Sequence, residues 1–223
     1  MTIVVATSIV ADGSMLKRGF PSDSVVIMNR KVFLDKVGIQ FNQTTRLKLS
    51  FDTTDFCRYG EVATIHKGNG MSGDCEVALD AIVTKELNHA LFLPVADCVG
   101  AVFYDPTRQV LGLAHLGRHS LEQNGGQNFV TYLKDHYDCD PKNIRVWLSP
   151  APTKQSYPIW LLGNKGMKEV TFEQLQIAGI IDDNITNNPA ETDKDRTYYS
   201  YSEFLKGHRD SDGDHAIIAM MKA

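Results

Sequence analysis

No stretch of this chain approaches the ~18 consecutive apolar residues a membrane-spanning helix requires, so no membrane partner is expected. Nor is there an excess of positive charge: 23 Lys and Arg stand against 27 Asp and Glu, a formal net charge of -4. A nucleic-acid partner needs a basic field to meet its phosphates, and none is available here. Cysteine is sparse and irregularly placed, at Cys57, Cys75, Cys98 and Cys139, with no C-x-x-C pair. That argues against a disulfide framework and a zinc ribbon, and points to a reducing, cytoplasmic setting. There is no internal repeat, no low-complexity tract and no compositional shift that marks a linker, so residues 1–223 read as one domain. The opening run from Met1 to Val10 is apolar but has no basic region ahead of it, and it reads as a first strand rather than a signal peptide.

What is present is a globular balance of 43% apolar and 22% charged residues, enough for a sizeable core. The rest is organised around Asp80 to Ser120. There His89–Val95 and Gly100–Tyr104 lead through Asp105-Pro106-Thr107-Arg108 into Gln109–His115, which predicts strand, turn, strand. Upstream, Ile3–Val10, Ser24–Met28, Leu47–Phe51 and Glu61–His66 read as strands, and Lys31–Val37 as a short helix stopped by Gly38. Downstream, Phe129, Val130, Leu133 and Tyr137 recur at helical spacing within Gln127–Tyr137. Ile144–Leu148 reads as a strand, Phe172–Ala178 as a short helix, Asp182–Asp195 as a loop, and Ala216–Met221 as a last apolar run. Strands outnumber helices, and helices fall between groups of strands. The fold class is therefore mixed α/β, a largely antiparallel β-sheet core flanked by helices.

Folding the central hairpin symmetrically about its turn pairs Asp105 with Arg108, Phe103 with Val110 and Cys98 with His115. Facing residues have Cβ atoms about 4.5 to 5.5 Å apart. A thiolate and an imidazole so placed could share a metal ion, or equally be a small buried hydrophobe and a satisfied core histidine. A cysteine hydrolase with Cys98 as nucleophile and His115 as base uses the same residue types. His66, at a predicted strand end before Lys67-Gly68-Asn69-Gly70, sits on a rim a ligand could reach, or is an ordinary surface histidine.

Asp80-Ala81-Ile82-Val83-Thr84, Ala96-Asp97-Cys98 and His115-Leu116-Gly117 follow one another in an order and spacing that resemble the YfiH, or laccase-domain, family. Weaker echoes are Asn29-Arg30, His66, Ser149-Pro150 and the segment from Asp195 to Arg209, which extend the resemblance over most of the chain. The resemblance implies the family's fold and a zinc site of His66, Cys98 and His115, with a fourth position open as in catalytic zinc centres. It implies phosphorolysis of adenosine- or inosine-type purine nucleosides, or adenosine deamination, with nucleoside and phosphate as small-molecule substrates. Phenol oxidation would need copper in place of zinc, which the same soft ligands can hold. Arg118 and His119 are candidates for anion binding and acid/base work, Asp97 for orienting a ligand, and Arg30 and Arg209 for anion contacts. The chain departs from the family where Arg118-His119-Ser120 replaces Trp-Arg-Gly, and where Ser202 and Glu203 replace paired arginines. Those changes bear on phosphate handling and leave room for a binding protein with reduced turnover.

Overall fold

The computed structural model describes residues 2–76 and 78–223. Two sheets pack face to face with helices on both outer surfaces. The first sheet has the order β1-β10-β5-β2, built from β1 (Thr2–Thr7), β10 (His215–Lys222), β5 (Ala90–Val95) and β2 (Thr44–Arg46). The second has the order β3-β4-β7-β6-β8-β9: β3 (Tyr59–Glu61), β4 (Ala81–Thr84), β7 (Val110–Leu116), β6 (Val99–Asp105), β8 (Arg145–Leu148) and β9 (Ile185–Asn187). The pairs β1·β10, β10·β5, β4·β7, β6·β7 and β6·β8 are antiparallel, whereas β2·β5, β3·β4 and β8·β9 are parallel. The class is mixed α/β with antiparallel pairs dominant, as the sequence implies.

The central strands are buried on both faces, which is why their sequences run continuously apolar instead of alternating with polar residues. Successive side chains still go to opposite sides. Leu91, Leu93 and Val95 of β5 meet Val102 of β6, Leu111 and Leu113 of β7 and Ile217 of β10 between the sheets. Ala90 and Phe92 point outward under α1 (Ser24–Lys36), beside Phe33 and Leu34. On the far side, Ala101, Phe103 and Ala114 pack beneath α2 (Arg118–Glu122), α3 (Gly125–Tyr137) and α4 (Met167–Ile177). The layers therefore run helix, sheet, sheet, helices.

Three upstream expectations are overturned. Ser24–Met28 is the first part of α1, not a strand. The Asp23 carboxylate accepts hydrogen bonds from the backbone N–H groups of Val25 and Val26 at 3.0 and 3.1 Å, and this cap starts a helix through a β-branched run. Gly38, at φ 68°, then closes it: Gly38 N–H reaches the Asp35 carbonyl and Ile39 N–H the Leu34 carbonyl, at 3.1 and 2.9 Å. The second concerns Glu61–His66, where β3 ends at Glu61 and Thr64–His66 forms one turn of 3₁₀ helix. Leu47–Phe51 lies outside any strand, and β2 precedes it. The loop expected over Asp182–Asp195 holds the short β9. No helix among the described residues is long and apolar enough to cross a membrane.

Candidate functional site

One cavity of about 750 Å³ opens where the ends of β5, β6 and β7 meet the loops that follow β1 and β2. Cys98 and His115 both line it, though not by the hairpin register expected from the sequence. Asp105 pairs with Val110, Phe103 with Gly112 and Gly100 with His115, a slip of two residues. The turn is longer than a two-residue loop because the Asp105 carboxylate takes the N–H groups of Thr107 and Arg108, at 2.8 and 3.0 Å, and Gln109 adopts φ 55°. A two-residue slip keeps every side chain on its face. Cys98 thus comes to lie beyond the paired residues, near Gly117.

Gly117 is what lets the two side chains converge. A Cβ there would stand 2.9 Å from His115 Nε2 and 3.0 Å from Cys98 Sγ, so both donors border one small space that only glycine leaves open. Burial, then the neighbouring Asp97 and Asp214 carboxylates, push the Cys98 thiol up to about 12. Burial holds His115 down at about 4. His115 is therefore neutral and can accept or ligate. The Cys98 thiol is the opposite of the activated thiolate that a cysteine hydrolase uses. Gly117→Ala is expected to close this space, weakening ligand binding at least tenfold while costing about 1 to 3 kcal/mol of stability, the usual penalty of overpacking. Calorimetric titration beside thermal unfolding checks both.

Asp97 holds the turn between β5 and β6 at φ 81°, a left-handed conformation that Asp tolerates better than most residues. Its two oxygens are occupied, one by Thr192 Oγ1 and one by Ser202 N–H, each at 2.7 Å. These two bonds fix the turn and so position Cys98. Arg118 and His119 follow Gly117 at the start of α2 and line the cavity. Arg118 makes no ion pair among the described residues, and its Nη2 lies 3.2 Å from His119 Nε2. The His119 ring stacks on Phe56 at 4.7 Å between centroids, with Nδ1 3.6 Å from a Glu122 carboxylate oxygen.

Three residues expected at the site lie elsewhere. His66 is outside the cavity lining; its Nδ1 accepts the Ala63 N–H at 2.9 Å within the 3₁₀ turn, which fixes the ring locally. Arg30 is completely buried, donating from Nε to the Met15 carbonyl and from Nη1 to the Gly70 and Met71 carbonyls. Arg209 donates to the Thr192 carbonyl at 2.8 Å. Neither arginine lines the cavity, so neither is placed to meet an anion there.

Other walls of the cavity carry no motif. Arg46, the last residue of β2, and Lys48 just after it share the single carboxylate of Asp74, at 3.7 and 2.6 Å. Arg18 reaches Asp214 at 3.2 Å and covers the Tyr201 ring at 4.2 Å from its centroid. Phe51, Phe56 and Tyr157 add aromatic surface. These residues are far apart in sequence, and no motif pointed to them.

Among the described residues, no three His, Cys, Asp or Glu side chains converge in a way that could hold a metal ion. Cys98 and His115 supply two donors and His66 does not join them, so the three-ligand site, whether for zinc or copper, does not fit this arrangement.

Comparison with known proteins follows the same lines. A solved structure of the YfiH protein of Bacillus licheniformis superposes with a TM-score of 0.83 at 19% identity, covering 99% of this chain and 93% of that one. YlmD from Geobacillus stearothermophilus superposes with a TM-score of 0.81 at 19% identity, covering 99% and 92%. These likenesses establish the fold. In sequence, 140 residues are 29% identical to a protein of Bacillus subtilis named purine nucleoside phosphorylase YlmD, 61% of this chain and 49% of that protein. A further 102-residue match, 33% identical, is to purine nucleoside phosphorylase SSP1584 of Staphylococcus saprophyticus, 44% of this chain and 37% of that protein. The matched stretches thus span half or less of the length of these relatives. The profile of the family described as multi-copper polyphenol oxidoreductase laccase matches residues 21–169, well over half of the chain. With its Ala96-Asp97-Cys98 turn and His115-Leu116-Gly117 strand end brought to one cavity in this fold, the chain belongs to the laccase-domain family.

Proposed function

We propose that this chain is a purine nucleoside phosphorylase-like protein whose cavity receives a purine nucleoside and phosphate. The observation that carries this reading is the composition of one 750 Å³ space, in which aromatic rings and cations border the Cys98–His115 pair. Its size falls within the range of about 300 to 1,000 Å³ usual for small-molecule sites. The chain as a whole is negative, at -4, yet Lys17, Arg18, Arg46, Lys48 and Arg118 line the cavity against only Asp74, Asp97 and Asp214. This local reversal of sign favours an anion such as phosphate. Arg118, free of ion pairs among the described residues, is the cation with the most to gain from it. The neutral His115 ring can donate to or accept from a ribose hydroxyl or the leaving base. His119, partly exposed beside Arg118, is placed to carry a proton at the cavity mouth.

A second reading, binding without turnover, is favoured by the two-donor arrangement, because a relative that relied on a resident ion would lose its Lewis acid here. The same donor set gives no support to copper-dependent phenol oxidation. One experiment separates these readings. Protein is incubated with adenosine or inosine and phosphate, and products are resolved by liquid chromatography beside calorimetric titration. Free base with ribose phosphate is the expected result for phosphorolysis; conversion of adenosine to inosine would show deamination instead. Heat of binding without product establishes the binding reading. Absence of both product and heat overturns the nucleoside assignment. Arg118→Ala is expected to weaken phosphate binding about tenfold or more, the loss typical of one charge-assisted hydrogen bond.

A further inference from the structure

The donor set around Cys98 and His115 is short by one, and the residue beside them is an aromatic ring. Phe51 lines the cavity with its ring centroid 6.4 Å from that of His115 and nearly perpendicular to it, at 85°. Other donors nearby are held by the fold. Both Asp97 oxygens hold backbone or hydroxyl partners, His119 lies against Phe56, and Asp214 is anchored through Oδ1 by Arg18, its Oδ2 buried without a hydrogen-bond partner. His66 is tied into its own turn by the Ala63 N–H. Gly117, meanwhile, keeps the space between Sγ and Nε2 open. Phe51 is 67% exposed although it borders this space, an uncovered apolar face with no packing duty of its own.

We infer that Phe51 occupies the position a third metal donor would need, and that the cavity takes its ligand without a resident ion, the planar part of the ligand packing on the Phe51 ring. A flat ring perpendicular to His115 offers a face to a second flat ring, and stacking on an exposed aromatic is tolerant of which base is bound. The stacking half rests on the nucleoside reading above; the metal half does not.

The test uses the full chain, stripped with chelator, dialysed against zinc and analysed for bound metal. Wild-type protein is expected to retain well under one zinc per chain, and His66→Ala to match it. Phe51→His should gain about one zinc per chain, the stoichiometry of an open three-ligand site, and should lose it again when combined with Cys98→Ala. Because Phe51 is largely exposed, its thermal midpoint in the variant should lie close to wild type, which separates the result from misfolding. Stoichiometric zinc on wild type that disappears in His66→Ala would overturn the inference, as would a Phe51→His variant that stays metal-free. For the stacking half, adenosine and adenine are titrated calorimetrically with and without chelator. Equal affinity in the two buffers and about a tenfold loss in Phe51→Ala, the scale of one base–aromatic stack, are expected. Unchanged affinity in Phe51→Ala overturns that half. If wild type binds no purine at all, the nucleoside reading falls while the zinc measurement still decides the role of Phe51.

Discussion

Replacing Arg30 by alanine is expected to lower the free energy of unfolding by about 4 kcal/mol, more than any single change at the cavity. Its side chain is fully buried and donates to three carbonyls from two loops that are far apart in sequence: Met15 at 2.8 Å, Gly70 at 3.2 Å and Met71 at 2.7 Å. Hydrogen bonds from a charged donor contribute about 1.5 to 3 kcal/mol each, and carbonyls left buried without a donor cost about 1 to 3 kcal/mol. Burial, and then the neighbouring Arg46, pull the guanidinium down to about 10, which still leaves it charged at neutral pH. Lysine is no substitute, because one point charge cannot address carbonyls in the fork geometry of a guanidinium. For a chain of this size 1 kcal/mol moves the thermal midpoint by roughly 2 to 4 °C, so a fall of about 10 °C is expected. Urea unfolding of Arg30→Ala and Arg30→Lys at constant m-value measures it; a loss below 1 kcal/mol would mean that the three bonds are not held in solution. Because Arg46 Nε also donates to the Gly70 carbonyl at 2.6 Å, the loop pinned by Arg30 supports a residue of the cavity wall.

Acidification from pH 7 to pH 5 is expected to destabilise the fold by about 2 kcal/mol for each of His89 and His215. Both are completely buried. Burial is the main reason that His89 is lowered to about 4 and His215 to about 3, from an ordinary value of 6.5. The sign follows from proton uptake. Between pH 6.5 and about 4 the unfolded chain holds a proton on each ring and the folded chain does not. Unfolding therefore takes up protons in this window, and stability rises with pH. The contribution is complete above 6.5 and lost progressively as the pH falls toward the folded values. His89 Nε2 meets Thr45 Oγ1 at 2.7 Å; its Nδ1 makes no hydrogen bond but lies 3.4 Å from a Glu86 oxygen, whose charge softens the loss. Urea midpoints at pH 7, 6 and 5 for wild type and His215→Phe check this. A flat profile in wild type, or one the substitution leaves unchanged, would show that His215 is not buried uncharged.

The family could be read from two short segments because their chemistry is local. Ala96-Asp97-Cys98 forms a tight turn whose Asp takes a left-handed conformation, and His115-Leu116-Gly117 ends a strand at a glycine that makes room for two donors. The hairpin between them was equally visible in its apolar runs. Its register was not, because the Asp105 side chain and the positive φ of Gln109 lengthen the turn in a way that alternation alone does not reveal. The helix over Ser24–Lys36 was obscured by Val25-Val26-Ile27, where the Asp23 cap and burial of Phe33 and Leu34 outweigh β-branched preference.

By itself, the sequence determined the mixed α/β class, the central hairpin and the nearness of Cys98 to His115, since apolar runs and turn residues act over a few neighbours. Tertiary structure alone decided that His66 and Arg30 stay out of the cavity while Arg46, Lys48, Phe51 and Tyr157 enter it. Those side chains come from segments separated by tens of residues, and what they meet depends on how two sheets pack, which no local pattern encodes.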